Sequence, residues 1–217
     1  MRILVRGGSI PAGVGVKKSY VEILRHWGAT LGIEVLNRSR AGENSFDAVS
    51  TFREDIEPLG PDILILHFGV DDAFFPVYRS EFKENLVRVV HRAQALEPPP
   101  SILLLTSHLW DDPCEMQALG IYYRTIREVA VDLSCTLVPV HTFWAGYIAD
   151  HGLLQADLVQ KDARLPNEQG HKVFAGAVAA TLNSLSAGHW KKNGWKWTAG
   201  FSHAMKCVRF KNNHSGG

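Results

Sequence analysis

The sequence has little cysteine and no long apolar run. Its three cysteines, Cys114, Cys135 and Cys207, are too few and too scattered for a disulfide framework or a Cys-x-x-Cys zinc site. No stretch approaches the roughly 18–20 apolar residues of a membrane span, and the apolar run Ile3–Val5 ends at Arg6, well short of a secretory signal core. We therefore expect a cytoplasmic protein without membrane association.

A strong net charge is also lacking. With 23 Lys+Arg against 22 Asp+Glu the formal charge is +1, which leaves no overall electrostatic footprint for nucleic acid. Basic residues are concentrated in the last thirty positions, which contain six and no acidic residue. We predict one domain over residues 1–187 and a basic, Trp-rich tail over residues 188–217. The tail is expected to dock on the domain or on a second copy, as a possible homo-oligomer contact; stacking on sugars, nucleic acid or lipid headgroups is the alternative.

Short apolar runs alternate with amphipathic stretches along the chain. The runs are Ile3–Val5, Ile33–Leu36, Ile63–Leu66, Ile102–Leu105 and Leu137–Val140. Apolar residues at helical spacing lie between them, within residues 20–31 and 82–93, and a last helix is predicted at about residues 168–187. Strands buried on both faces that alternate with helices predict an α/β fold with a parallel sheet covered on both sides.

Three common motifs are missing from the sequence. The glycines at positions 7, 8, 13 and 15 fit neither of the usual glycine-rich phosphate-binding patterns, so a nucleotide site is not expected. There is no Gly-x-Ser-x-Gly elbow, which argues against a lipase-type α/β-hydrolase. Because ligands of open parallel sheets bind at the carboxyl ends of the strands, the residues just after each apolar run are the informative ones.

Four blocks follow the predicted strands or precede the last helix. They are Gly8-Ser9-Ile10, Asn37–Gly42, Gly69-Val70-Asp71-Asp72 and Asp162–His171. In order and spacing, over about residues 2–185, they resemble the SGNH hydrolases, also called the GDSL esterase and lipase family. The resemblance implies a flavodoxin-like three-layer α/β/α sandwich with a five-stranded parallel sheet, and ester hydrolysis without metal or organic cofactor. It also implies that Ser9 is the nucleophile, that the backbone N–H of Gly42 stabilises the oxyanion, and that Asp162 belongs to the triad.

The sequence departs from the family pattern at three positions. Gly8 stands where the family usually has Asp, in a turn. Asp71 stands where an Asn donates to the oxyanion, and a carboxylate donates only when it is protonated. Leu165 stands where the catalytic His is expected, and leucine cannot accept the proton of a serine. A serine without a base is a weak nucleophile, so the family resemblance does not convert directly into an activity.

Another histidine would have to supply the base. His108 follows the fourth predicted strand at the carboxyl edge of the sheet, and we take it as the best candidate. His67 and His171 are weaker candidates, because each has a packing or structural interpretation. The predicted catalytic residues are therefore Ser9, Asp162 and His108, with Ser9, Gly42 and Asp71 at the oxyanion.

The acidic residues of these blocks allow a second interpretation. Asp71, Asp72 and Asp162 would converge near Ser9 in such a fold, and three carboxylates could hold Mg²⁺ or Mn²⁺. We favour simpler roles, with Asp72 capping a backbone turn and no metal site.

Two functions from different classes follow from these residues. The first is a serine esterase acting on a small acyl or acetyl ester, with a small-molecule substrate and no nucleic-acid or membrane partner. The second is a catalytically inactive relative that binds a small ligand or a carbohydrate in the same cleft, because Leu165 and Asp71 each remove a component that catalysis needs.

Overall fold

Five short strands form one parallel sheet in the computed structural model, which describes residues 1–75 and 77–189. They are β1 (Arg2–Gly7), β2 (Glu34–Asn37), β3 (Ile63–His67), β4 (Ser101–Leu105) and β5 (Thr136–Val138). The strand order is β2-β1-β3-β4-β5, and every neighbouring pair is parallel. The predicted α/β fold with a five-stranded parallel sheet is confirmed.

Helices cover both faces of this sheet. They are α1 (Ser9–Ala12), α2 (Tyr20–Thr30), α3 (Ser45–Ser50), α4 (Phe52–Asp55), α5 (Val70–Phe74), α6 (Arg79–Gln94), α7 (Pro113–Asp132), α8 (Val140–His151) and α9 (Glu168–His189), with short 3₁₀ turns at Glu57–Leu59 and Gln155–Asp157. Helix α9 packs between α2 and α8 on one face, and α6 packs between α3 and α7 on the other. This gives the three layers that the family resemblance implies.

Most element boundaries agree with the sequence pattern. The apolar spacing within residues 20–31 and 82–93 corresponds to α2 and α6. The fifth apolar run is the exception, because β5 ends at Val138 and Val140 begins α8. Pro139 between them lacks the N–H that a strand ladder needs and suits a helix start instead.

The last helix ends slightly later in the structure than the sequence predicts. Helix α9 continues to His189, two residues beyond the predicted limit at residue 187. From residue 190 onward the predicted basic tail lies outside the described residues, so its docking role and its part in a homo-oligomer stay predictions. No described helix is both long enough and apolar enough to cross a membrane.

Candidate active site

The strand order places three loops side by side at the carboxyl edge of the sheet. β1 lies between β2 and β3, so the loop after β1 is flanked by the loops that follow its two neighbours. Ser9 opens α1 directly after β1, Gly42 lies in the loop after β2, and Asp71 lies in the first turn of α5 after β3. The first three sequence blocks therefore meet, as their positions after the strands predict.

Ser9 is the centre of this arrangement and is partly exposed. Its Oγ donates to Asp71 Oδ1 over 2.5 Å, and its backbone N–H donates to Asp71 Oδ2 over 2.8 Å. The backbone N–H of Gly42 donates to Ser9 Oγ over 3.0 Å. One carboxylate thus contacts the serine through both of its oxygens, on the side where the family places an amide.

Burial shapes the chemistry of Asp71. Desolvation raises the pKa of this carboxyl above its usual value, against the opposing effects of the two hydrogen bonds from Ser9 and of the Arg164 charge. The missing side chain at Gly8 makes room for it, because a Cβ there would overlap Asp71 Oδ2 and the carbonyl oxygen of Glu43. The glycine that departs from the family pattern at position 8 therefore makes room for both the Asp71 carboxyl group and the Glu43 backbone.

The loop that contains Gly42 is supported by buried ion pairs that sequence analysis did not identify. Arg6 is fully buried at the end of β1 and contacts Glu43 at 2.5 Å and Asp55 at 3.4 Å. Arg40 donates to both oxygens of Asp55, over 2.8 and 2.7 Å. Burial raises the pKa of Asp55, but the hydrogen bonds from Arg40 and Thr51 and the charges of both arginines hold it below its usual value. The sequence signal that could have indicated these ion pairs is Arg6 itself, a charged residue next to an apolar run in a predicted buried strand.

Gly42 itself has a backbone conformation that favours glycine. Its φ of +76° lies in the left-handed region, which L side chains rarely adopt. A Cβ at this position would meet no atom within 4 Å, so glycine is favoured here by the backbone conformation and not by crowding.

Asp72 links the two loops that flank Ser9. Its Oδ1 accepts from the backbone N–H of Ser45 over 2.9 Å, and its Oδ2 accepts from that of Gly69 over 2.8 Å. Burial raises the pKa of Asp72, while these hydrogen bonds oppose the shift. The predicted capping role of Asp72 is confirmed by these contacts.

The final block does not join the Ser9 contacts in the predicted way. Asp162 pairs with Arg164, whose Nε and Nη2 donate to the carboxylate over 2.7 and 2.6 Å, and this pairing holds the pKa of Asp162 below its usual value. The guanidinium of Arg164 lies 4.1 Å from the ring centroid of Phe74. Leu165 packs against the core. Among the described residues, no hydrogen bond connects Asp162 to Ser9 or to a histidine.

His108, the predicted base, is hydrogen-bonded to groups other than Ser9. Its Nε2 donates to the carbonyl oxygen of Ala163 over 3.1 Å, and its Nδ1 accepts from the hydroxyl of Ser107 over 3.0 Å. The side chain is fully buried, and desolvation lowers its pKa to about 4. Both ring nitrogens are therefore occupied, and this placement does not support proton transfer from Ser9.

The two weaker candidates for the base are also buried in the core. His67 shares a hydrogen bond with the Tyr20 hydroxyl at 3.1 Å, and His171 Nδ1 accepts from the backbone N–H of Tyr20 over 3.1 Å. Desolvation lowers the pKa of each to about 3. Both histidines pack around the ring of Phe174, as the structural interpretation of them predicts.

The three acidic residues considered for a metal have separate partners. Asp71 contacts Ser9, Asp72 contacts two backbone N–H groups, and Asp162 pairs with Arg164. Within the part of the chain that the structure describes, no three His, Cys, Asp or Glu side chains are grouped to hold a metal ion.

Comparison with known proteins agrees with the fold and with the four sequence blocks. The model of the GDSL-like Lipase/Acylhydrolase family matches residues 5–173, which confirms the resemblance drawn from the four blocks. No curated protein sequence matches significantly.

Similar solved structures include two hydrolases. Axe2, an acetylxylan esterase from Geobacillus stearothermophilus, has a TM-score of 0.73 at 20% identity, over 90% of this chain and 95% of its own. LAE5, an alpha/beta hydrolase enzyme from the metagenome of Lake Arreo, Spain, has a TM-score of 0.71 at 23% identity, over 83% of this chain and 94% of its own. At these identities the likeness establishes the fold.

Proposed function

This chain belongs to the GDSL-like lipase/acylhydrolase family, and we propose that it is a serine hydrolase of a small acyl or acetyl ester. The observation that carries the proposal is the set of contacts at Ser9, whose Oγ lies 2.5 Å from a carboxylate oxygen and 3.0 Å from the Gly42 nitrogen. A hydroxyl next to a proton acceptor and a backbone N–H has the components that acyl transfer uses.

In the proposed reaction Ser9 Oγ attacks the ester carbonyl. The tetrahedral oxyanion is stabilised by the backbone N–H of Gly42 and, once Asp71 releases it, by that of Ser9. Ester cleavage leaves an acyl group on Ser9, which water then removes. Neither His108 nor Leu165 offers Ser9 a proton acceptor in this arrangement.

A short acyl group is the substrate class that we propose. Axe2, which shares the fold, is an acetylxylan esterase, so acetylated sugars are included among the substrates to be tested.

The serine mechanism predicts that Ser9→Ala removes activity. We expect the variant to lose labelling by a fluorophosphonate probe and to lose about 10³-fold or more in the hydrolysis of p-nitrophenyl acetate, because the attacking atom is gone. Ser80→Ala, which removes an exposed hydroxyl from α6, is the matched control and should react like the unmodified protein. Equal turnover in Ser9→Ala would exclude the serine mechanism.

A binding protein is the second candidate, and two observations favour it. The Ser9 N–H, an oxyanion donor, is bonded to the Asp71 carboxylate, and position 165 lacks the histidine. In this case the unmodified protein has no esterase activity, and Leu165→His combined with Asp71→Asn creates it. Turnover by the unmodified protein would exclude the binding protein.

A further inference from the structure

Ser9 and Asp71 are held in a fixed relation by two hydrogen bonds. Asp71 Oδ2 is anchored by the Ser9 N–H, which directs Oδ1 at the Ser9 hydroxyl. The absent side chain at Gly8 allows this approach. Among the described residues no other carboxylate, and no imidazole, is hydrogen-bonded to Ser9.

From this geometry we infer that Asp71 is the general base of Ser9, so that the reaction runs on a Ser9–Asp71 pair without histidine. The inference rests on the serine mechanism proposed above. It assigns the proton-acceptor role to the residue that stands in place of the family's oxyanion-binding amide, and it leaves the buried histidines to packing.

The surroundings of Asp71 support this role. Burial raises the pKa of the carboxyl, which makes its ionised form a stronger proton acceptor than an exposed aspartate. Two charged groups face it. The Arg164 guanidinium favours ionisation, and the Asp72 carboxylate next to it in α5 opposes ionisation. Asp72 is also bonded to two backbone N–H groups, so it does not compete for the Ser9 proton.

The proton can be followed through each step. As Ser9 Oγ forms its bond to the carbonyl carbon, the hydroxyl proton moves to Asp71 Oδ1. The carbon–oxygen bond to the alcohol then breaks, and the departing oxygen takes that proton from Asp71. In the second half, water gives a proton to Asp71 and its oxygen attacks the acyl carbon; Ser9 Oγ leaves and recovers the proton.

Proton transfer also resolves the charge conflict at the oxyanion. An ionised Asp71 would repel the developing negative charge and occupy the Ser9 N–H. After accepting the proton, Asp71 is neutral and carries an O–H donor. A neutral carboxyl group holds the Ser9 N–H less strongly than a carboxylate does, so the oxyanion can compete for this donor, while the Asp71 proton goes to the departing oxygen.

The Asp71→Asn variant tests the inference, because asparagine has nearly the same size and cannot accept the proton. We expect the rates of fluorophosphonate labelling and of p-nitrophenyl acetate hydrolysis to fall by about 10²–10⁴-fold, the usual effect of losing a general base. Circular dichroism and thermal unfolding establish that the variant is folded. Asp150→Asn, which changes an exposed carboxylate on α8, is the control and should keep the full rate.

Opposite results separate the inference from the proposed function. If the unmodified protein reacts through Ser9 and Asp71→Asn reacts equally or faster, the serine mechanism stands and Asp71 is an obstacle, not the base. If the unmodified protein shows neither labelling nor turnover, both the proposed function and the inference fail.

The pH profile provides a second readout. We expect labelling of Ser9 to rise with a single ionisation, that of Asp71, and we expect this rise to be absent from the residual labelling of Asp71→Asn. A rise that Asp71→Asn retains would overturn the assignment. NMR titration of Asp71 gives a readout without substrate: Ser9→Ala should raise the pKa of Asp71, because a hydrogen bond that lowers it is lost. An unchanged pKa would contradict the contact.

Discussion

Gly8 and Asp71 act as a pair at the scale of single residues. Relative to the family pattern, one carboxylate is absent at position 8 and another is present at position 71. The two departures are neighbours in space, because any Cβ at position 8 would overlap Asp71 Oδ2 as well as the backbone carbonyl oxygen of Glu43. Each change by itself removes a side chain that the family pattern contains. Together, the two changes place a carboxylate against the serine hydroxyl.

Gly8→Ala tests this coupling. We expect the added methyl group to push Asp71 away from Ser9, which slows fluorophosphonate labelling and lowers the free energy of unfolding by about 1–3 kcal/mol through overpacking. Gly120→Ala is the matched control, since a Cβ in this turn of α7 meets nothing within 4 Å and alanine favours a helix by up to about 1 kcal/mol. Labelling of Gly8→Ala at the unmodified rate would contradict the coupling. Urea unfolding measures both stabilities.

At the scale of elements, buried charges join β1 to the loop that carries the oxyanion donor. Arg6 connects the strand to Glu43 in the loop and to Asp55 in α4, and Arg40 closes the network from the surface. Removing one partner of a buried ion pair leaves the others uncompensated, which costs more than the pair itself contributes. We therefore assign this network a positioning role for Gly42.

Arg6→Met is expected to destabilise the protein by about 3–5 kcal/mol, because Glu43 and Asp55 lose their buried partner. Arg88→Met breaks an exposed pair with Glu84 on α6 and should cost less than about 1 kcal/mol. Denaturant unfolding followed by fluorescence measures both values. If the two variants lose the same free energy of unfolding, the buried ion pairs of Arg6 contribute no more to stability than an exposed pair does.

At the scale of the whole molecule, three buried histidines share one aromatic cluster. The ring centroids of His67, His108 and His171 lie 5.3, 6.1 and 6.2 Å from that of Phe174. Burial lowers the pKa of all three, to about 3 for His67 and His171 and about 4 for His108. The folded protein thus holds them neutral at a pH at which the unfolded chain binds protons on each.

The free energy of unfolding should therefore fall steeply in acid. Each histidine protonates near pH 6.5 in the unfolded chain, so the stability present above that pH is lost as the pH falls, by about 1.4 kcal/mol per pH unit for each. Near pH 5 the three together give a slope of about 4 kcal/mol per pH unit.

His67→Phe tests the origin of this slope. The variant should reduce it by about a third, independent of any constant loss from the unpaired Tyr20 hydroxyl. His26→Gln on the exposed face of α2 should leave it unchanged. Urea unfolding between pH 4.5 and 7 measures the slopes, and a slope that His67→Phe does not change would contradict the buried-neutral assignment.

Much of the fold could be predicted from the sequence because its signals are local. The apolar runs located the strands, and helical spacing located α2, α6 and α9. The meeting of Ser9, Gly42 and Asp71 followed from one rule, that parallel strands end at a shared edge.

The contacts within the site depended on side-chain directions, which the sequence does not show. His108 stands at the correct edge, but its ring nitrogens bond to Ser107 and Ala163. The bond from Ser9 to Asp71 depends on space at Gly8, which only the assembled backbone reveals. Motif spacing alone was therefore not enough to predict the base or the substrate.

The carboxylate of Asp72 connects segments on both sides of Ser9 and should affect how they open. Ser45 opens α3 after the loop that contains Gly42, Gly69 directly precedes α5, and the backbone N–H groups of both donate to this one buried carboxylate. The start of α3 cannot move away from α5 without breaking the Ser45 bond and leaving one oxygen of this buried carboxylate unpaired. The amide protons of Ser45 and Gly69 should therefore exchange with solvent deuterium at similar, slow rates, and the nucleophile should become accessible to large reagents in a single concerted opening instead of by independent loop excursions.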